Sequence, residues 1–178
     1  MSGPTPSQTV GPYFHLGLDW PPADCLADAA TPGTRIVLRG RVLDGDAAPV
    51  PDALVEIWQA DSAGRYPAHD AAGFSGFGRV AVAADGGFAF TTVKPGPVAD
   101  PLGLQAPHIN LVVFARGLLT HLHTRVYFAD EPLANAADPV LARVPVTRRA
   151  TLLAHAAGDA RVFDIHLQGP DETVFFDV

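Results

Sequence analysis

The chain has 178 residues, one Cys, 17 Gly and 17 Pro, and a formal net charge of −7 from 12 Lys and Arg against 19 Asp and Glu. This length suits one domain with a sizeable core, and the Gly and Pro content stays below the ~25–30% typical of disordered chains. Binding to nucleic acid or to a membrane surface depends on dense positive charge. A negative chain without a Lys and Arg cluster therefore argues against both.

The sequence also gives no sign of export or membrane insertion. The first residues lack a basic segment followed by an apolar one, and the apolar run from Ile109 to Ala115 is too short to span a bilayer. Cys25 stands alone, which excludes an intrachain disulfide and a cysteine-rich zinc site. The sequence therefore predicts a cytoplasmic protein.

Residues 1–34 are predicted to form an extended arm. The segment carries six prolines and little periodicity, so its backbone cannot donate a regular ladder of hydrogen bonds. It also contains a group of large apolar side chains, Val10, Tyr13, Phe14, Leu16, Leu18 and Trp20. Apolar groups on an irregular segment need a surface to bury them. We therefore expect the arm to pack against a partner chain and residues 35–178 to form the folded domain.

From residue 35 the sequence changes to short β-rich runs with alternating apolar residues. Phe88 and Phe90 fall on one face of their run, and turn clusters at 44–46 and 85–87 separate neighbouring runs at hairpin-like spacing. The predicted strands are 35–43, 53–60, 77–82, 87–93, 108–115, 121–128, 161–168 and 173–177. Several short strands at this spacing predict an all-β fold, a β-sandwich.

One helical interruption is predicted between Pro139 and Ala157. Apolar residues recur there near helical spacing, at Val140, Leu141, Val144, Leu152 and Leu153. Pro145 should divide this segment into two short helices, because proline lacks the backbone N–H that a helix interior requires.

One candidate for chemistry is the pair His121 and His123. Side chains two residues apart on a strand point to the same face, so both imidazoles could bind one metal ion. Arg125 follows on the same face and would set a fixed positive charge beside that ion. The pair therefore fits either a metal site or two hydrogen-bonded histidines at a polar interface, and the second interpretation is favoured.

Two further patterns place a tyrosine and a histidine near turns. Tyr66 follows Gly64-Arg65, and His108 shares a strand face with Asn110 soon after Lys94-Pro95-Gly96-Pro97-Val98. Taken alone, Tyr66 and His108 are more often packed groups than ligands or bases. The motifs of serine hydrolases, phosphate loops, dinucleotide sites and zinc peptidases are all missing from the sequence.

Ordered strings spread from residue 5 to the C-terminus resemble the intradiol ring-cleaving dioxygenases. They are Ser7 to Phe14, Glu56 to Asp61, Gly64-Arg65-Tyr66, Phe77-Gly78-Arg79, Thr92 to Pro97, Ala106 to Asn110, His121 to Phe128 and Glu172 to Asp177. The resemblance implies an all-β β-sandwich of the intradiol dioxygenase type, with an extended N-terminal arm and one or two short helices. It also implies O₂-dependent cleavage of catechols at a non-haem Fe(III), which two Tyr and two His hold.

Position by position, the resemblance implies that only half of this ligand set is present. Tyr66 stands at the first tyrosine position and His108 at the first histidine position, whereas the second tyrosine is Val98 and the second histidine is Asn110. Valine offers no donor atom, and a neutral amide is a far weaker iron ligand than imidazole. Gln105 stands where the family's iron-bearing subunits carry an active-site arginine. We refer to Tyr66, Val98, His108 and Asn110 as the vestigial site.

Some members of this family consist of two homologous subunits, of which only one binds the Fe(III). Within the family, the sequence most resembles the subunit that does not bind metal. In such subunits the arm reaches over the partner's iron site, and Thr9, Gly11, Pro12 and Tyr13 match that arm. Glycine lets a backbone approach an aromatic ring closely, and proline keeps that wall rigid. Arg125 matches a residue near the same pocket, where it would attract a catechol that bears a carboxylate.

Two other interpretations remain open at this point. The chain could be a complete iron enzyme with Tyr66 and His108 joined by His121 and His123, which requires residues from separate strands to converge. It could also be a non-enzymatic sandwich that binds small aromatic molecules or scaffolds another protein. Val98 and Asn110 argue against the first, and a neighbouring gene for a ligand-complete chain would argue against the second.

Overall fold

A computed structural model of the chain describes residues 3–18, 23–67 and 74–177. Within these residues the structure is built mainly from short strands. They are β1 (Arg35–Leu43), β2 (Leu54–Gln59), β3 (Phe77–Ala81), β4 (Gly87–Val93), β5 (Val98–Asp100), β6 (Gly103–Gln105), β7 (His108–Phe114), β8 (Leu122–Phe128), β9 (Leu153–Ala157), β10 (Ala160–Val162) and β11 (Ile165–His166). One α-helix, α1 (Pro132–Ala137), follows β8.

The strands enclose one main hydrophobic core. They follow a hydrogen-bonded path in the order β11-β1-β10-β9-β8-β7-β2-β3, with β4 paired to β1, while β5 and β6 form a separate hairpin. The core joins side chains from β1 and β4 with side chains from β2, β7 and β8, including Ile36, Leu38, Phe88, Phe90, Val55, Ile57, Ile109, Leu111, Val113, Val126 and Phe128. The predicted β-sandwich is therefore confirmed.

Strand alternation divides β7 between this core and the opposite face of the sheet. Ile109, Leu111 and Val113 are fully buried in the core, so His108 and Asn110 lie on the other face. Because β7 pairs with both β2 and β8, the outward residues of the three strands lie side by side. We call this side of the three strands the outer face.

A second, smaller core covers one end of the outer face. It contains Ala106, Tyr127, Leu141, Val144 and Leu152, which are all buried. Two 3₁₀ helices, Leu141–Arg143 and Val146–Leu152, supply Leu141 and Leu152, and Val144 lies between them. The division at Pro145 is as predicted, because the first helix ends at the extended Val144 and the second begins directly after Pro145. The prediction of helix as far as residue 157 is wrong, since 153–157 is strand β9.

Two strand predictions near the C-terminus also need correction. The single strand predicted at 161–168 is two short strands, β10 and β11, each parallel to β1. The break arises where the Arg41 N–H donates to the Asp164 carboxylate instead of to a backbone carbonyl. The predicted strand 173–177 contributes one isolated bridge, between Phe176 and His123. The hairpin β5–β6 and helix α1 were not predicted as elements.

The C-terminal part of the arm, around residues 26 and 27, is attached to the sandwich. Leu26 and Ala27 are buried, and the Leu26 N–H donates to the carbonyl of Thr91 on β4. Trp20, Pro21 and Pro22 lie outside the described residues. The boundary at residue 34 remains a prediction. Among the described residues, the structure contains no helix with the length and apolar character that crossing a membrane demands.

Candidate functional site

Strand register builds the centre of the site. Consecutive cross-strand partners on β3, β2, β7 and β8 form one row, Phe77, Trp58, Asn110 and Arg125. The next residues along β7 and β8 on the same face, His108 and Tyr127, are also partners. Directly opposed residues on antiparallel strands lie about 5 Å apart. Asn110, Arg125 and His108 therefore project from adjacent positions of the outer face.

A tight turn brings Tyr66 to this row from outside the sheet. The Asp61 carboxylate accepts hydrogen bonds from the backbone N–H of Arg65 at 3.0 Å and from the Arg65 guanidinium. Gly64 adopts φ +78°, and a Cβ there would lie 1.9 Å from the carbonyl oxygen of Pro97. The turn thus packs directly against the segment that precedes Val98. Only glycine permits both this backbone conformation and this approach.

Tyr66, His108 and Asn110 are joined by hydrogen bonds. The Nδ1 of His108 lies 2.8 Å from the carbonyl oxygen of Ala106, which can only accept, so Nδ1 carries the proton. The Tyr66 hydroxyl then donates to His108 Nε2 at 3.3 Å and accepts from the Asn110 side-chain amide at 2.9 Å. These bonds satisfy the hydroxyl on both sides and orient the imidazole.

Burial keeps both rings neutral, and the positive charge of Arg125 adds to that effect at His108 only. Burial, together with the charge of Arg125, lowers the pKa of His108 to about 4, against the smaller raising effects of the Ala106 carbonyl and Asp138. Burial raises the pKa of Tyr66, against the opposing effects of Asn110 and Arg125. Tyr66 is 37% exposed, its ring stacks on Trp58 with 5.6 Å between centroids, and its hydroxyl bonds to His108 and Asn110.

The residues of the vestigial site do not fit an iron ion. Val98 is buried and has no donor atom, and the Asn110 amide nitrogen donates to Tyr66 and to the carbonyl of Trp58. Only Tyr66 and His108 remain as ligand types, and the Tyr66 proton is used in the bond to His108. Across the part of the chain that the structure describes, no cluster of three or more His, Cys, Asp or Glu is arranged to hold a metal.

Arg125 and Gln105 form the other side of the site. The guanidinium Nη1 donates to the Gln105 side-chain oxygen at 2.9 Å. Gln105 is 6% exposed and ends β6, where its strand partner is Val98. The hairpin β5–β6, which sequence patterns missed, therefore connects the Val98 position to the Arg125 side chain.

Asp138 supports the site through the Ala106 N–H, and it is not among the residues predicted from the sequence. This carboxylate is fully buried and accepts from the backbone N–H groups of Ala106, Val140 and Leu141 and from the Tyr127 hydroxyl. It thus fixes Ala106, whose carbonyl orients His108. An aspartate just before the first residues of a short helix is a capping signal that could have indicated it.

The histidine pair at the start of β8, where His121 directly precedes the strand, lies away from the vestigial site. The rings of His121 and His123 are 4.7 Å apart, and His121 also packs on Phe114 at 5.3 Å. Burial and the neighbouring His121 lower the pKa of His123. Phe114 and His108 are at opposite ends of β7, roughly 20 Å apart at ~3.3 Å per residue. The convergence of Tyr66 and His108 with His121 and His123 on one metal is therefore ruled out.

The first part of the arm, residues 3–18, packs near that far end of β7. The Gly117 N–H donates to the Thr9 hydroxyl at 2.7 Å, and the Phe14 ring lies 5.4 Å from Phe114. Tyr13 is 77% exposed, and Gly11 and Pro12 are exposed beside it. The predicted pocket-lining residues of the arm thus face outward from this chain rather than toward Tyr66 and His108.

Comparisons with known proteins point to one family. The family model described as dioxygenase matches residues 11–169. The chain is 49% identical to a protocatechuate 3,4-dioxygenase alpha chain from Burkholderia cepacia, over 98% of this chain and 97% of that one. It is 38% identical to the beta chain from the same organism, over 79% and 67%. Among solved structures, the dioxygenase domain of a carbohydrate-binding fusion from Streptomyces sp. SirexAA-E matches with TM-score 0.64 and 33% identity, covering 94% of this chain and 99% of that chain.

Proposed function

We propose, because this chain belongs to the intradiol dioxygenase family, that it is the metal-free alpha subunit of a protocatechuate 3,4-dioxygenase. The observation that carries the proposal is the vestigial site. Its framework is intact, with His108 and Tyr66 hydrogen-bonded in place, yet Val98 and Asn110 stand where two ligands would be needed. A chain with this framework and half of the ligands requires a second chain for the chemistry.

A homologous beta subunit is the proposed partner. The chain is similar both to an alpha chain and to a beta chain of one enzyme, with the greater identity and coverage to the alpha chain. We assign the non-haem Fe(III) to the beta subunit, because the residues of this chain do not fit the ion. When bound there, Fe(III) supplies the Lewis acidity that makes a coordinated catechol reactive toward O₂.

The proposed reaction is the O₂-dependent intradiol cleavage of protocatechuate to 3-carboxy-cis,cis-muconate. Protocatechuate carries a carboxylate, which a guanidinium recognises by charge-assisted hydrogen bonds. We also propose a cytoplasmic location, because the single Cys25 requires no oxidising compartment.

In this complex, we assign the walls of the partner's substrate pocket to Thr9, Gly11, Pro12 and Tyr13, with Arg125 as a source of positive potential. The exposure of Tyr13 supports this assignment, since a 77% exposed aromatic ring is available to a partner. The Thr9 hydroxyl accepts from Gly117 and so anchors the start of this segment to the sandwich. In this proposal, the arm shapes the partner's substrate pocket and excludes water from it. The sandwich provides the surface to which the arm is anchored.

Metal content and activity test the proposal directly. The chain is purified alone and after co-expression with a beta chain that retains both tyrosines and both histidines. We expect the lone chain to be colourless and free of iron, and the complex to contain about one iron per pair, absorb visible light and consume O₂ with protocatechuate. Stoichiometric iron and ring cleavage in the lone chain would overturn the proposal.

A further inference from the structure

Arg125 is built into the vestigial site rather than beside it. Its strand partner is Asn110, which occupies one lost ligand position, and its guanidinium bonds to Gln105, the strand partner of Val98 at the other. His108 projects from the adjacent position on the same face. The guanidinium therefore bonds to Gln105 next to the strand positions of Asn110 and His108, and its charge acts on both Tyr66 and His108. Arg125 lies on a strand that is paired within the sheet, so its backbone position is fixed.

The contacts also show how this charge is tolerated. A buried or half-buried cation needs hydrogen-bond acceptors or an opposite charge, and it is destabilised by a second positive charge close by. Gln105 supplies a neutral acceptor at 2.9 Å, and the proton arrangement of Tyr66 and His108 leaves both of these rings uncharged. The Arg125 guanidinium thus gives the vestigial site a permanent charge of +1, and of the four positions of that site only Tyr66 and His108 carry side chains of the types that ligate iron.

We propose that the Arg125 guanidinium is a built-in cation that excludes metal ions from the vestigial site, so that restoring the two lost ligands does not by itself restore metal binding. Repulsion between two cations grows with the product of their charges and with the loss of solvent screening. An ion of charge +2 or +3 at the vestigial site would face the guanidinium across a few ångströms of partly buried protein. The loss of Val98 and Asn110 as ligands and the presence of Arg125 are then two independent barriers to metal.

The test compares metal uptake by full-length variants of this chain. Val98→Tyr with Asn110→His restores the ligand types and keeps Arg125, and a second variant adds Arg125→Gln. Each protein is exposed to Fe(II) without oxygen, oxidised in air and desalted, and iron is then measured per chain together with the visible absorption of a tyrosinate bound to Fe(III). We expect about tenfold more iron, or a larger excess, in the variant without the guanidinium.

Two controls separate charge from shape and folding. Arg125→Lys in the ligand-restored background keeps the charge and should stay nearly free of iron, whereas Arg41→Gln, on β1 and ion-paired with Asp164, should leave iron uptake unchanged. If the Gln variant does not fold, Arg125→Met removes the charge with a side chain of similar length. Equal iron in the variants with and without the positive charge at residue 125, whether high or low, would overturn the proposal. The measurement needs no partner or substrate, so its result is independent of the proposed function.

Discussion

The vestigial site and the first part of the arm differ in what holds their side chains. His108, Asn110 and Arg125 project from neighbouring strands whose register fixes them. In the arm, Thr9 and Phe14 make the described contacts with the sandwich, while Tyr13 faces solvent. The site is therefore organised within one chain, whereas the arm provides a surface that needs a second chain to complete it.

This difference indicates how a site held by strands and a partner-binding arm each depend on the fold. A site on strands keeps its framework after its ligands are lost, because the same residues also stabilise the sandwich. The first part of the arm, residues 3–18, places no side chain in the buried core, so its sequence is free to serve a partner. The two regions should consequently respond in opposite ways to mutation, the site through stability and the arm through activity in the complex.

The largest expected effect is on stability, at the support of the site. Asp138→Ala removes the acceptor of three backbone N–H groups and of the Tyr127 hydroxyl in a fully buried position. Leaving such donors unsatisfied should lower the free energy of unfolding by about 3 kcal/mol. For a chain of this size, the thermal midpoint should fall by roughly 6–12 °C.

An exposed carboxylate offers a matched control. Asp85 accepts from the Gly87 N–H in a surface turn at 3.0 Å, and Asp85→Ala should change the free energy of unfolding by less than about 1 kcal/mol. Equal shifts in the two variants would contradict the role of Asp138 as the buried support of the site.

The next effect is on activity, in the arm. Tyr13→Ala should leave the thermal midpoint of the isolated chain unchanged, because the ring is exposed there. In the complex with a beta chain, truncating a central aromatic contact costs about 2 kcal/mol, which corresponds to a loss of roughly thirty-fold in kcat/KM for protocatechuate.

Leu133 provides the comparison for that variant. It is 87% exposed on α1, and Leu133→Ala also truncates a large apolar side chain. We expect it to leave kcat/KM within about twofold of the parent complex. Iron content is measured in both complexes, so that lost metal is not mistaken for a lost contact. Similar activities for the two variants would remove the arm from the pocket.

Local sequence patterns predicted the long strands well and the short ones poorly. β1 and β4 have the predicted bounds, because alternation over seven or more residues specifies both the strand and its buried face. β10 and β11 depend instead on the long-range bond from Arg41 to Asp164, which no local pattern contains. Residues 173–177 alternate like a strand, yet their position against β8 and the 3₁₀ helix allows one bridge.

The vestigial site could be predicted only through the sequence motifs that resemble those of the intradiol dioxygenases. Tyr66 and His108 are ordinary residues in isolation, and their hydrogen bond joins positions 42 residues apart. The bond from Arg125 to Gln105 was not predictable, because it depends on the hairpin β5–β6, whose three-residue strands give no periodic signal. Composition and spacing alone identified His121 and His123, which the fold places at the far end of β7.

The smallest expected effect is at Tyr66, and it tests whether the vestigial site takes part in catalysis. Tyr66→Phe removes the hydroxyl that bonds to His108 and Asn110, which should lower the free energy of unfolding by about 1 kcal/mol. Tyr13→Phe, which removes a hydroxyl in the exposed arm, is the control for stability. The Tyr66→Phe complex should retain kcat/KM for protocatechuate within about twofold, since a purely structural group acts on neither substrate nor iron. A tenfold or greater loss, with iron content and unfolding midpoint preserved, would show that this site is coupled to the reaction and that strand-held residues here still serve the partner.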